Sequence, residues 1–448
     1  MNESMAVLAP EEVAYVAGAL RASRAQLARR SAADIIAALG AAGARFLDPA
    51  DPLRAEALER LPEASGLSAA MCVAVLDGMA ADWTEERLTE LVTAEMGVVA
   101  ALDGFVRAGS RTAMAVGPSL SVQIVAGGVP GVGVMALLRS LVVKGPTLLK
   151  PGRGDVVLPL LFARALAGID PALADALAVV YWPGGSREHE DAALAHADVV
   201  TVYGSDETVR EIRARTPITA RLVPYHHRVS VGVVGREALA PSRVERTAAQ
   251  VAEAVALFDQ RGCVSPQVIY VEEGGACAPP EFTERLASAL ADLEARLPGG
   301  PLEVRQASRL QQARGTAELL AATNGGRVRH GHGASWTVVL EAVALPLGPT
   351  GGRFVRVRSF ADAAELPGML APLGPHLQTV GVAGMEDRLE KVAGALGEIG
   401  ASRVAPFASV AFPPAWWHHD GRGPLLDLVR WVDLEEATAP RSVPVPSR

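Results

Sequence analysis

The sequence predicts an α/β protein organised around a parallel, doubly wound sheet, and three observations carry the prediction. From residue 119 onward, short apolar runs recur at 121–126 (SVQIVA), 147–150 (TLLK), 178–181 (AVVY) and 199–203 (VVTVY), with the β-branched and aromatic content of buried strands. Helical segments separate them, near 133–141, 156–167, 188–195 and 206–215, and strand alternating with helix implies parallel pairing through crossovers. Glycine-rich or charged turns follow the strands directly, and ligands bind such sheets beyond the C-terminal strand ends.

Length and composition bound the class. A chain of 448 residues accommodates at least two domains and a large core. Half of it is hydrophobic and 21% is charged, which argues against disorder. A net charge of -8 and a pI of about 5.7 argue against a nucleic-acid partner, whose binding domains are usually basic. The three cysteines, Cys72, Cys263 and Cys277, form no CxxC pair, so neither a disulfide scaffold nor a zinc–thiolate site is expected, and a reducing cytoplasm is the natural compartment. The N-terminus has acidic residues early and no basic segment ahead of an apolar core, so no signal peptide is expected. The most apolar stretch, 124–138, is rich in glycine, contains Pro130 and is closed by Arg139. It is too short and too broken to span a membrane.

Residues 1–115 read as a helical part packed on the cofactor domain. Alanine and leucine recur at helical spacing in the segment beginning at Glu11, with arginine on the other face. A second block starts at Thr84-Glu85-Glu86-Arg87, a helix-start pattern. No chemistry is legible there.

Residues 116–240 read as a dinucleotide-binding domain. The first strand runs into Gly127-Gly128-Val129-Pro130-Gly131-Val132-Gly133, a glycine-rich turn that opens a helix and serves equally as a simple tight turn. The second ends on Lys150-Pro151-Gly152-Arg153, two cations at a strand end in a chain whose lysines are only Lys144, Lys150 and Lys391; solvated charges are the plain alternative. The fourth runs into Gly204-Ser205-Asp206, where free helix N–H groups suit a phosphate and Ser205 also suits an ordinary N-cap.

Residues 241–412 read as a catalytic domain. A helix at 243–258 delivers the turn Gln260-Arg261-Gly262-Cys263-Val264-Ser265-Pro266 ahead of a strand at 267–272, and further elements lie at 281–296, 353–358, 379–382 and 386–396. Two readings of Cys263 stand side by side: a small buried hydrophobe, or a nucleophile whose thiolate needs exposure and a lowered pKa, with backbone N–H groups facing a developing oxyanion. Residues 413–448 read as a return segment ending in a loose tail. Within it Trp416-Trp417-His418-His419-Asp420-Gly421 clusters aromatic, imidazole and carboxylate groups. Adjacent histidines rarely aim at one ion, so Trp417, His418 and His419 are read as packing or substrate-lining.

Taken together, AGGVPGVG, LLKPGRGD, YWPGG, ADVVTVYGSDETV, VPYHHRVSVGVV and FDQRGCVSPQVIYVE resemble the acyl-CoA reductase family best known from bacterial bioluminescence, a branch of the aldehyde dehydrogenase superfamily. The resemblance runs in order from about 105 to 435 and is most specific at the cysteine segment. It implies an aldehyde dehydrogenase-like fold, a Rossmann-type cofactor domain plus an α/β catalytic domain with the active site in the cleft between them. It also implies NADPH-dependent reduction of an acyl thioester to an aldehyde through an S-acyl cysteine. On this resemblance Cys263 is the acyl acceptor, Lys150 holds the adenosine ribose, Gly204 and Ser205 lie at the pyrophosphate, and Val129 and Pro130 lie against the cofactor. The donor it implies is acyl-CoA or the phosphopantetheine arm of a carrier protein, and a homo-oligomer is usual in the superfamily.

The same resemblance exposes three departures from the superfamily pattern. Where NAD-preferring relatives place a glutamate there is Arg153, a fork-shaped cation suited to a 2'-phosphate, so NADPH is favoured. The segment that holds the water-activating glutamate in hydrolytic relatives is here Val223-Pro224-Tyr225-His226-His227-Arg228, without a carboxylate, which protects an acyl-enzyme from water. The oxyanion asparagine is replaced by Gly128, which leaves a donor to be found; His226 is the candidate compensating donor and His227 the first candidate for general acid, with His418 and His419 behind it. The rivals are an oxidative aldehyde dehydrogenase acting on a specialised aldehyde and a catalytically impaired, nucleotide-binding partner subunit.

Overall fold

The computed structural model describes residues 7–333, 335–345 and 350–435; the tail at 437–448 lies outside them. Five helices come first, Pro10–Ala28, Ala32–Ala44, Pro52–Ser65, Ala69–Ala80 and Glu85–Met96. The starts of the last four are set by side-chain caps: Ser31, Asp51, Ser68 and Thr84 each accept a backbone N–H of the first turn, worth about 1 kcal/mol apiece. Phe46, Trp83 and Phe162 meet at centroid distances of 5.5 to 6.4 Å and lock the N-terminal helices onto the helix Val157–Ile169. No single described helix is long and apolar enough to cross a membrane.

The strands, in chain order, are β1 (Val106–Ala108), β2 (Arg111–Val116), β3 (Ser121–Ile124), β4 (Thr147–Lys150), β5 (Leu177–Val179), β6 (Val199–Tyr203), β7 (Arg221–Tyr225), β8 (Val229–Val234), β9 (Pro266–Glu272), β10 (Arg327–His330), β11 (Thr337–Leu340), β12 (Phe354–Phe360), β13 (Leu377–Ala383), β14 (Arg403–Pro406) and β15 (Arg430–Asp433). The first large sheet has the order β5-β4-β3-β6-β7 and is parallel throughout. The chain moves outward from β3 to one side and then to the other, so β3 and β6 flank a topological switch point, the place where doubly wound sheets bind ligands. The second sheet, β10-β11-β12-β9-β8-β13-β14, is parallel except for the β10–β11 pair. A small antiparallel sheet, β1-β2-β15, brings the end of the described chain back beside the first unit through the Arg430↔Val116 register.

The structure departs from the sequence expectation at several places. The helix expected at 243–258 is Val244–Ala256; it stops early because Phe258 and Asp259 take positive φ. The strand expected at 121–126 stops at Ile124. β7, β8, β10 and β11 were not expected as strands, nor was the helix Val304–Asn324, which buries only Leu310, Arg314 and Ala317 and so carries little apolar periodicity. The N-terminal helices, which carry no legible chemistry, supply a wall of the cleft at Cys263 through Gly78, Met79 and Asp82.

Candidate active site

The cysteine turn is held by strain and by buried charge. Phe258, Asp259 and Gln260 have φ of 58°, 50° and 60°, a left-handed conformation that costs about 1 kcal/mol or more per non-glycine residue and persists only where the surroundings over-determine it. The Asp259 carboxylate accepts from Arg353 Nε and Nη2 at 3.1 and 2.8 Å, and Arg353 Nη1 donates to Glu294 at 2.6 Å. Gln260 Nε2 donates to the carbonyls of Pro266 and Phe354, both at 2.9 Å. Arg261 donates to the carbonyls of Ser65 at 2.7 Å and Gly66 at 3.1 Å, tying the turn to the N-terminal helices. Cys263 therefore stands at the head of β9, its carbonyl accepting from Ser230 Oγ of β8 at 2.6 Å.

Among the cysteines only Cys263 is exposed; Cys72 and Cys277 are buried. Water reaches the Cys263 side chain from the cleft, while protein crowds it on its other sides. That crowding, and then the Asp420 carboxylate, push the thiol up to about 11; the Gln378 side-chain amide and the N–H groups of Cys263 and Val264 pull the other way by hydrogen-bonding the sulfur. The Cys263 side chain is thus a protonated thiol at neutral pH. Gln378 Nε2 donates to Asp420 Oδ1 at 2.6 Å, and Arg228 Nε lies 3.0 Å from Oδ2 as an ion pair without a hydrogen bond. Asp420 also has a positive φ, 56°.

Two cavities meet at Cys263. One, of about 120 Å³, is walled by Met79, Met135, Phe412 and Trp417, with Asp82 and Arg139 also on its surface. The other, about 520 Å³, runs from Ala126, Gly204 and Ser205 at the switch point, past His226 and His227, to Gln378 and Asp420. Val129, Val132, Tyr203, Gly262, Cys263 and His419 line both. An aromatic stack stands at the partition: Tyr203, Tyr225, His419 and Trp417 succeed one another at centroid distances of 4.5, 4.2 and 4.6 Å. Burial, then the charges of Arg139 and Arg228, hold the His419 imidazole well below its ordinary value, so it is neutral.

The cofactor candidates divide. Lys150 is 8% exposed; its ammonium hydrogen-bonds no described residue and lies 5.7 Å from the Tyr181 ring centroid, and burial lowers its pKa. A buried ammonium so placed suits a hydroxyl or phosphate oxygen. Arg153 is exposed one turn beyond it. Ser205 Oγ accepts from Thr208 N at 3.2 Å as an N-cap, on the helix Asp206–Arg215 that faces the larger cavity. The glycine-rich turn works differently. Asp155, fully buried, accepts from the N–H groups of Gly131 and Gly133 at 2.7 and 2.6 Å, which occupies the helix start a phosphate would use; burial pushes this carboxyl up to about 7. A Cβ on Gly127 would come within 2.6 Å of Gly154 N, so this glycine serves the packing of two loops. Val129 and Pro130 come next in that turn.

The histidines are not gathered at the sulfur. His226 and His227 group with His376 at centroid distances of 5.6 and 6.1 Å, beside Asp206, 3.6 Å from His226 Nδ1. Burial first, and then His376, lower the His227 pKa. In the return segment, Trp417 and His419 point inward while Trp416 and His418 are exposed. A Cβ on Gly128 would meet only Arg261 O, at 3.6 Å, so packing does not demand glycine there. The amide beside the sulfur is Gln378, from β13. Sequence reasoning missed Gln378, Asp82 and Arg139; Asp420 was visible only as part of its aromatic–imidazole cluster.

The architecture is that of an aldehyde dehydrogenase. The chain is similar to aldehyde dehydrogenase 21 from Physcomitrella patens, crystallised with the reaction product succinate, at a TM-score of 0.76 and 15% identity, over 96% of this chain and 91% of that one. It is similar to the C291A mutant of aldehyde dehydrogenase C from Pseudomonas syringae, crystallised with NAD+ and octanal, at a TM-score of 0.72 and 14% identity, over 96% and 90%. The family model described as acyl-CoA reductase (LuxC) matches residues 27–431, and the chain belongs to that family. Relatives named long-chain acyl-protein thioester reductase include one from Aliivibrio fischeri, 24% identical over 359 residues, 79% of this chain and 71% of that one. Another, from Photobacterium phosphoreum, is 23% identical over 363 residues, 79% and 70%. The protein is thus an oxidoreductase of the acyl-CoA reductase family with the fold of an aldehyde dehydrogenase, as the motifs implied.

Proposed function

We propose that this protein reduces an acyl thioester to an aldehyde with NADPH, through an S-acyl intermediate on Cys263. The observation that carries the reading is the position of Cys263, the one exposed cysteine, on the shared wall of an apolar cavity and a groove that begins at the switch point of the parallel sheet. Lys150, Arg153, Gly204 and Ser205 would hold the dinucleotide, with Arg153 selecting its 2'-phosphate and Val129 and Pro130 on the partition side. When bound, that cofactor supplies hydride to the acyl carbonyl.

The chain's own groups do the rest. Cys263 Sγ attacks the thioester carbonyl carbon as its proton leaves; the thiolate of the donor departs, and an S-acyl enzyme forms. The oxygen that gains negative charge in each step is received by the N–H groups of Cys263 and Val264 and by the Gln378 amide. This gives Gln378 the role that the sequence left to His226. Expulsion of Cys263 Sγ from the reduced, tetrahedral carbon releases the aldehyde. His227, neutral at pH 7 and on the wall of the same groove as Cys263, receives the thiol proton through water in that groove.

Water is kept from the intermediate in two ways. The segment Val223-Pro224-Tyr225-His226-His227-Arg228 holds no carboxylate, and the nearby Asp420 is occupied by Gln378 and Arg228. The donor is coenzyme A or a carrier-protein arm, and the enzyme is a cytoplasmic homo-oligomer. The test is single-turnover reduction of an acyl-CoA by the wild type and by Cys263→Ala: aldehyde and NADPH oxidation in the first and neither in the second support the reading, and equal turnover by both overturns it.

A further inference from the structure

Three residues from separate parts of the chain bring metal-ligating atoms together beside the link between the two large sheets. Asp206 is the first residue of the helix Asp206–Arg215, His226 directly follows β7, and His376 directly precedes β13. One ligand atom from each lies within 4.8 Å of the other two, and among the described residues no other three His, Cys, Asp or Glu side chains are so placed. Asp206 is exposed and the two imidazoles are half-buried, so an ion can reach them from water.

The backbone supplies a fourth ligand. The His227 carbonyl oxygen stands 3.1 Å from His226 Nδ1 and 3.0 Å from His376 Nδ1, and His226 Nδ1 lies 3.6 Å from Asp206 Oδ1. A tetrahedral ion with ligand bonds of about 2.0–2.1 Å has edges of about 3.4 Å between its ligands, so each of these separations is within a few tenths of an ångström of what such an ion requires. The looser separation, 4.8 Å at most, closes by rotation of an exposed carboxylate. A carbonyl oxygen only accepts, so each imidazole donates to it from Nδ1; ion binding moves that proton to Nε2 through water and turns both Nδ1 lone pairs onto the ion. His226 and His227 are neighbours, yet only one ring is used, so the difficulty of aiming adjacent side chains at one ion does not arise. The charge of Arg228, next in the chain, is matched by Asp420, 3.0 Å away.

We propose that Asp206, His226, His376 and the His227 carbonyl form a site for a divalent transition-metal ion of the zinc class. Two imidazoles and one carboxylate suit such an ion, whereas calcium and magnesium take oxygen ligands. Four protein ligands close the site, which makes it structural. The ion clamps the helix that follows β6, in the first sheet, to the head of β13, in the second, two residues before Gln378.

The test uses the full chain, freed of metal by a chelator, with Zn2+ or Co2+ alone as the probe. Calorimetry should show one Zn2+ bound per chain. Binding should weaken at least about tenfold in His376→Ala and in Asp206→Asn, since changes even in groups that only support metal ligands cost about 10- to 100-fold. It should be unaltered in His330→Ala, whose ring lies beside Glu318. Zn2+ should raise the thermal midpoint of the wild type and leave that of His376→Ala unmoved, while the Co2+ protein should show the visible bands of a tetrahedral nitrogen–oxygen site without the near-ultraviolet band of a thiolate ligand. Asp206→Asn keeps the size of the side chain, so weaker binding there with a wild-type melt separates a lost ligand from a lost fold. A thiolate band, which puts the ion on the exposed Cys263, overturns the proposal. So do equal binding by the wild type and both ligand variants, no saturable binding, or a preference for Mg2+ over Zn2+.

Discussion

Replacing Asp420 by asparagine tests how the Cys263 thiol is held. Pushed up to about 11, the Cys263 thiol would be ionised about 300-fold less at pH 7.5 than a free cysteine of pKa about 8.5. Water on the open side of the sulfur screens part of this, so tenfold is roughly the smallest effect the argument allows. The sign is definite: the thiol is the form present through neutral pH, and the thiolate grows as pH rises toward the folded value. Iodoacetamide labelling, read by mass on Cys263 with buried Cys72 and Cys277 as internal references, should be slower at pH 7.5 than labelling of a cysteine peptide. The rate should still be climbing at pH 9.5. Asp420→Asn removes the nearby anion and keeps an oxygen for Gln378, so it should speed labelling at pH 7.5 several-fold. A rate that levels off by pH 8, or an Asp420→Asn variant labelled more slowly, would refute the reasoning.

Three other outcomes rest on named contacts. Gln378→Leu removes the amide beside the sulfur and should lower kcat by about 10²- to 10³-fold with little change in KM; Gly128→Asn, which has room for its side chain, should restore part of the loss, and steady-state kinetics of the single and double variants decide it. Arg353→Met removes the main partner of buried Asp259, leaving the more distant Arg261 at 3.8 Å and the Gly300 N–H, so urea unfolding should show a loss of about 3 kcal/mol together with altered Cys263 labelling; an unchanged midpoint would contradict the role given to the pair. Asp155 has its carboxyl raised from 3.8 to about 7 by burial, so its contribution to stability is full below pH 4 and is lost as pH rises through 7, by roughly 4 kcal/mol. Asp155→Asn should flatten that slope in thermal melts, and an unaltered slope would count against it.

Much of the fold was legible because it is written in local pattern. The alternation from 121 to 215 located β3, β4, β5 and β6 and the helices between them, and the glycine and lysine turns fell at the strand ends as a parallel sheet requires. The cysteine turn was legible for the same reason, a helix, a glycine and a strand in sequence. What was not legible depends on partners far along the chain. The early stop of the helix before Cys263 comes from Asp259 reaching Arg353, 94 residues away. Gln378 lies inside an apolar strand, where nothing local marks it as facing a sulfur. Arg139 read as the polar end of an apolar stretch, and only packing shows that it is buried on the wall of the smaller cavity against Tyr203. The glycine-rich turn was a true signal with a different cause: its helix start is filled by Asp155, and Gly127 is small because another loop crosses it.

The central claim is that Cys263 carries the acyl group until hydride arrives, and the most direct measurement tracks the mass of the intact protein. Incubated with an acyl-CoA and no nicotinamide, the protein should gain one acyl mass, mapped by peptide digestion to Cys263 and stable over minutes. Addition of NADPH should then remove that mass with release of aldehyde and matching loss of cofactor absorbance. An adduct on another residue, no adduct, or release of the free acid without NADPH oxidation would contradict the account.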